Sequence, residues 1–332
     1  MPAVVTPLNP KPTARLASGS IKNLPVNLFG AVMGLSGLAL AWRLAHSAFG
    51  IDGHISDVIA GLAVAVFLVL AAGYTVKLIR HPAAVKAEFG HPIASNFFGT
   101  VAISLLLLSA VLGSYSDDLG QVVWVLGSAA TLALSFIVVS RLLKGKGDAT
   151  HAVPAWLIPG VATLDIAVTG AHMPMAWAGE LVLFSIAVGS VLALVMFTMI
   201  GTRLIQHDPL GTAMTPSLMI LVAPFEVGFL AYANVTGEVD RFAALLFYFG
   251  LFLFLVLLPK VFRRAISFGP TWWAISFPIA ALVNAALKYA FVHPTLPLRL
   301  MAGSLLVFLT VALAVLTVRT FHILLNGKLL GA

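Results

Sequence analysis

The sequence predicts an all-α integral membrane protein, with ten transmembrane helices organised as five helical hairpins. Three observations lead there. Of 332 residues, 60% are hydrophobic and 9% charged, with a mean hydropathy of +1.04, whereas a soluble domain carries about 25% charged residues. Ten apolar spans of roughly bilayer-crossing length lie near 26–45, 55–79, 96–114, 119–143, 154–171, 177–204, 216–234, 241–262, 272–291 and 298–325. The spans also recur in pairs, with a period of about 60 residues.

Pro92, Pro154 and Pro216 open the third, fifth and seventh spans at intervals of 62 residues. Pro25 opens the first span and Pro270 precedes the ninth. A second breaker follows a few residues into each of the later odd spans, and the even spans before them end alike: VKLIRH, SRLLKG, TRLIQH, PKVFRR. Self-similarity at a fixed period marks a repeated supersecondary unit. Five equivalent hairpins imply one domain with the odd helices around a central axis, a quasi-fivefold arrangement.

Even spans are smooth runs such as LLFYFGLFLFLVLL, suited to lipid. Odd spans are interrupted by Gly30, Gly34 and Gly37, by Gly99, by Pro159-Gly160, by Pro224 and by Pro278. Breakers inside a membrane are tolerated where the freed backbone groups face protein or a watery cavity. The odd helices are therefore expected to be the inner, kinked ones that line a pore.

The flanks are expected to be simple. Residues 1–23 are proline-rich and polar, without the apolar stretch and cleavage site of a signal peptide, and read as a disordered cytoplasmic tail. Residues 24–326 form the transmembrane domain, and 327–332 a short C-terminal tail. Counting lysine and arginine on the two sides gives 15 against 4, so the positive-inside rule puts both termini in the cytoplasm. The absence of cysteine excludes disulfides and thiolate chemistry. The basic charges sit between spans, which argues against nucleic acid as a partner.

Thr271–Ala290, TWWAISFPIAALVNAALKYA, is the most informative stretch. Proline removes a backbone donor, so Phe277-Pro278 is expected to kink the ninth span. Steps of four, three and four place Phe277, Ala281, Asn284 and Lys288 on one face. An amide and a lysine do not suit lipid, so this face reads as a pore wall with Phe277 as plug. The plainer reading of Phe277 is a core aromatic beside a kink. Lys288 either draws anions into the outer mouth or snorkels to the interface.

Two carboxyls fall within spans. Glu226, two residues past Pro224, reads either as a carboxyl that is protonated or paired with Lys288, tuning an anion path or coupling it to protons, or as a structural interhelix hydrogen bond. Asp165, six past Pro159, reads first as structural. Gly30, Gly34 and Gly99 either let helices pack closely or keep the pore wide. The nine histidines lie in loops or near span ends, so no membrane metal or haem site is expected. With no phosphate-binding glycine motif and no serine–histidine–carboxylate set, neither a cofactor nor an enzyme activity is expected.

PVNLFGAVMGLSGLALAW, HPIASNFFGTVAIS, MILVAPFEVGFLAY and WWAISFPIAALVNA, in this order and spacing, resemble the family of the bacterial tellurite-resistance protein TehA, the plant slow anion channels and the fungal malate transporters. The resemblance covers roughly residues 24 to 325. It implies a homotrimer with a separate pore in each protomer, lined by the odd helices and occluded by a phenylalanine that falls on Phe277. It further implies passage of small anions such as chloride, nitrate, dicarboxylates, sulfite or tellurite, and a place in the bacterial inner membrane. The family's prolines map onto Pro159, Pro224 and Pro278. Two positions depart: Pro278, directly after the phenylalanine, stands where TehA is expected to have glycine, and Glu226 where an apolar residue is expected.

The sequence thus reads as a gated anion channel. A proton-coupled carrier of small organic acids or oxyanions using Glu226 is the alternative, and a membrane enzyme or scaffold without transport is a third reading.

Overall fold

The computed structural model describes residues 19–144 and 148–331, and the regular structure within them is helical. In chain order the α-helices are α1 (Gly30–Phe49), α2 (His54–Arg80), α3 (Pro82–Gly90), α4 (Gly99–Gly113), α5 (Asp117–Leu143), α6 (Leu157–Gly170), α7 (Ala178–Gln206), α8 (Ala223–Thr236), α9 (Arg241–Val261), α10 (Ser276–Val292) and α11 (Leu296–Leu325). Among the described residues, nine helical segments are long and apolar enough to cross a membrane, and Pro154–Gly170 is apolar but shorter. The sequence did not announce α3, whose start is set by Pro82 at its first position, where proline's fixed φ suits a helix.

Every inner span is built in two pieces. A 3₁₀ segment comes first: Val26–Phe29, Ala94–Phe98, Pro154–Trp156, Thr212–Val222 and Pro270–Ile275. The α-helix then starts at Gly30, Gly99, Leu157, Ala223 and Ser276. This corrects the expected proline kink. Pro159, Pro224 and Pro278 occupy the first turns of α6, α8 and α10, where proline is tolerated. The irregularity lies just upstream, in the tighter 3₁₀ turns.

Burial separates the two kinds of span. In the most apolar windows of Val26–Phe49 and Pro270–Val292, 78% of residues are buried, against 17% for His54–Arg80 and 28% for Arg241–Val261. Each inner helix pairs with the outer helix that follows it: α1 with α2, α4 with α5, α6 with α7, α8 with α9 and α10 with α11. The inner helices also pack in sequence, α1 on α4, α4 on α6, α6 on α8 and α8 on α10, and α10 returns to α1. The ring is closed.

Small side chains hold the seams. The Ser276 hydroxyl donates to the Gly30 carbonyl at 2.8 Å, and the Asn284 amide donates to the Gly37 carbonyl at 2.9 Å. The Ser104 hydroxyl donates to Phe29 O at 3.2 Å, and the Asn234 amide to Val168 O at 2.7 Å. Gly34 allows a close approach between α1 and α10: a Cβ there would lie 2.5 Å from Ser276 Cβ. Without a hydrophobic drive between helices in lipid, such close packing and hydrogen bonding supply the association.

The chain ends meet. Ser20 N and the Asn23 amide both donate to Leu330 O, at 3.0 and 3.1 Å, and Ile21–Asn23 forms a 3₁₀ turn. Residues 20–23 and Leu330, expected to lie in or beside the tails, thus pack together, while residues 1–18 lie outside the described residues.

Candidate functional site

The axis of the ring is lined by one stripe from each inner helix. Two cavities follow one another along it. The smaller, about 40 Å³, is lined at the starting ends of the inner helices by Asn27, Gly30, Met33, Thr100, Ile103, Ile158, Val161, Ile220 and Ala223, and by Ala274, Phe277 and Pro278. The larger, about 250 Å³, is lined further along by Gly37, Leu40, Arg43, Leu107, Ala110, Asp165, Val168, Thr169, Val227, Leu230, Asn234, Phe277, Ala281, Asn284 and Lys288. Among the described residues, Phe277 is the one that lines both. Its side chain stands between the chambers.

The stripes follow from helical stepping. On α10 they read Phe277, Ala281, Asn284, Lys288, the face expected from the sequence. On α8 they read Ala223, Val227, Leu230, Asn234, and on α6 Ile158, Val161, Asp165, Val168. The residue just before each first-turn proline, Ile158, Ala223 or Phe277, therefore faces the axis. That offset was readable in the sequence, and stepping from it leads to Asp165 and Asn234, two wall residues that the expected set left out.

The chambers differ in chemistry. The smaller has Asn27, Thr100 and Thr271 among mostly apolar side chains. The larger carries Asp165, Asn234, Asn284, Lys288 and Arg43. Lys288 is half-buried and its ammonium donates to Asn234 Oδ1, while the Asn234 amide holds the Val168 carbonyl. Asp165 is 1% exposed and its Oδ2 meets no donor.

Several expected wall residues lie elsewhere. Glu226 is fully buried and points away from the axis at Gly250 of α9, where an added Cβ would lie 2.2 Å from Oε1. Its neighbour Val227 faces the chamber instead, because adjacent helical residues differ by about 100°. Glu226 does not pair with Lys288; among the described residues the one ion pair is Lys77–Glu88. Gly34 packs on Ser276 and Gly99 on Ile158, so both serve helix approach. Neither Pro159 nor Pro224 lines a chamber; the Pro159 carbonyl accepts from the Ser135 hydroxyl of α5. Gly30 and Pro278 do line the smaller chamber.

A family model described as a voltage-dependent anion channel matches residues 23–321. The chain belongs to this family. An S-type anion channel, SLAH3, of Arabidopsis thaliana is 29% identical over 305 residues, covering 89% of this chain and 48% of the plant protein. The chain thus spans about half the length of that relative. A tellurite resistance protein TehA homolog of Haemophilus influenzae is 27% identical over 317 residues, 92% of both chains. An uncharacterized transporter of Methanocaldococcus jannaschii is 27% identical over 286 residues, 79% of this chain and 84% of the other. Membership in this anion channel family, with the long apolar helices, makes the protein a multi-pass membrane protein of an anion-transporting family.

Proposed function

We propose that the protein is a gated channel for small anions, with a path along the axis of the inner ring closed by Phe277. The observation that carries this reading is the place of Phe277 as the one residue, among those described, shared by the two axial chambers. A steric gate asks nothing more of the protein than a ring that swings aside. Selectivity needs no charged collar. The α segments of all five inner helices begin around the smaller chamber, so the positive ends of their dipoles favour an anion. Lys288 and Arg43 draw anions into the larger one, and weak attraction lets an ion leave again.

Chloride and nitrate are the proposed ions, since the plant relatives are named as anion channels. The working unit is a homotrimer with one pore per protomer in lipid, in a bacterial inner membrane, with the lysine- and arginine-rich ends in the cytoplasm. The protein acts without a cofactor and is not an enzyme. The runner-up reading, proton-coupled transport of small organic acids or oxyanions such as dicarboxylate, sulfite or tellurite, is favoured by one observation: a carboxyl does face the path, although it is Asp165 rather than Glu226.

The test is anion current, in chloride and then nitrate, from wild type and Phe277→Ala in planar bilayers. A nearly silent wild type and a mutant whose current is larger by an order of magnitude or more is the expected result. Silence of both, with folded protein in the membrane, overturns the gate. Proton-driven uptake without any current points to the carrier.

A further inference from the structure

The larger chamber contains a group that a plain anion path does not need. Asp165 follows Val161 by one helical turn on α6, and Val161 lines the smaller chamber with Phe277. The carboxyl therefore stands about one turn past the gate. It is 1% exposed, and Oδ2 has no hydrogen-bond donor. Buried polar atoms are nearly always paired, and an ionisable group inside a membrane marks a functional position by default. An ionised carboxylate here opposes the very ions the path is built to carry.

Few charged groups face it. On the chamber wall α1 brings Arg43 and α10 brings Lys288, whereas α4 brings Leu107 and Ala110, and α8 brings Val227, Leu230 and Asn234. Arg43 is bonded to the Ser114 hydroxyl and Lys288 to Asn234, and neither forms an ion pair with Asp165. Of the other helices packed on α6, α5 carries Asp117, Asp118 and Arg141, and α7 carries Glu180 and Arg203, all in terminal turns. Glu226 of α8 faces α9. His172, just past the end of α6, is exposed. Among the described residues, Asp165 is left without a charged partner on the wall of the chamber it lines.

We propose that Asp165 is a proton-operated selectivity residue of this path, a role that rests on the axial-pore reading. With a proton from the chamber water on its carboxyl, it donates an O–H hydrogen bond to a small anion past the gate. Without that proton, its carboxylate repels the anion. No bond other than O–H forms or breaks. A unit charge several Å from the path at an effective dielectric of about 20 changes anion occupancy by about tenfold or more. A hydrogen bond to the ion is of the stronger, charge-assisted kind.

The experiment uses the Phe277→Ala channel, which the gate reading predicts to be open. Chloride and nitrate currents are recorded at mildly acidic and mildly alkaline pH, alone and with Asp165→Asn. The expected result is a current about tenfold larger at acid pH for Phe277→Ala, and a large, pH-flat current for the double variant. An unchanged pH profile in the double variant overturns the proposal while leaving the pore intact. If Phe277→Ala does not conduct, the pore reading fails. The carboxyl is then judged by infrared difference spectroscopy of wild type, Asp165→Asn and Glu226→Gln across the same pH range. A pH-dependent carboxyl band absent only from Asp165→Asn keeps the proton site; a spectrum that Asp165→Asn leaves unchanged overturns it.

Discussion

Lys77 with Glu88, and Lys288 and Asp165 on the wall of the larger chamber, are finished in opposite ways. Near the start of the first inner span, the Lys77 ammonium donates to Glu88 Oε2 at 2.6 Å and to the Leu24 carbonyl at 2.7 Å. Glu88 also accepts from Val26 N and from the Tyr74 hydroxyl, both at 2.9 Å. Lys77 is 3% exposed and its strong partners are all protein. In the larger chamber, Lys288 turns to Asn234 rather than to Asp165, and Asp165 Oδ2 has no donor. The first arrangement is a clamp that ties α2 and α3 to the entry of α1. The second leaves a buried carboxyl oxygen without a donor on the chamber wall. A buried pair completed on every side fixes structure, whereas polar groups left incomplete are concentrated where function requires it.

The contrast is breakable. Glu88→Ala leaves the Lys77 ammonium buried without its counter-charge, and removal of one partner of a buried pair costs about 3–5 kcal/mol. A large drop in the Tm of the purified protein is expected; an unchanged Tm removes the clamp. Asp165→Asn, which leaves no charge stranded, is expected to keep the wild-type Tm while flattening the pH profile. A Tm drop as large as that of Glu88→Ala makes Asp165 structural and erases the comparison.

Lys288→Met in the Phe277→Ala background tests the other side of the chamber. Loss of one cation half-buried at the wall is expected to reduce chloride current several-fold with little change in Tm, and equal currents would leave Lys288 as a structural tie to Asn234. The smallest effect is expected at Asp240, which caps α9. Its carboxyl accepts from Ala243 N at 2.9 Å and from the Tyr232 hydroxyl at 2.8 Å. The Ala243 backbone bond first, and the Tyr232 bond second, hold the carboxyl below the usual carboxylate range. A lowered folded-state value contributes stability above the unfolded-state value and loses it as pH falls through the lowered one. The slight Tm advantage of wild type over Asp240→Ala should thus be present at neutral pH and vanish in acid; a difference that persists in acid contradicts this cause.

Much of the architecture was legible before any coordinates. The ten spans agree with the helices to within a few residues, and the odd spans, marked by breakers, are the buried ones. The face of α10 from Phe277 to Lys288 was readable because it needs only helical stepping from one landmark. The same stepping from Ile158 and Ala223 leads to Asp165 and Asn234. The conformation of the breaks was less legible, since a proline in a first turn and a proline in a helix interior look alike in a string of letters.

What the sequence determined by itself was whatever is local or periodic: hydropathy sets which segments enter lipid, and the 62-residue spacing sets how many equivalent units close a ring. What only tertiary structure decided was direction and partnership. Glu226 and Val227 are neighbours in the chain, yet about 100° of helical rotation turns one toward Gly250 and the other toward the axis. Gly34 reads equally as pore space or packing until Ser276, far along the chain, is set against it. Lys77 reads as one more cytoplasmic charge until α3 folds back and delivers Glu88. Each of these outcomes depends on which remote residue arrives at a given azimuth, and that is fixed when the five hairpins close around their axis.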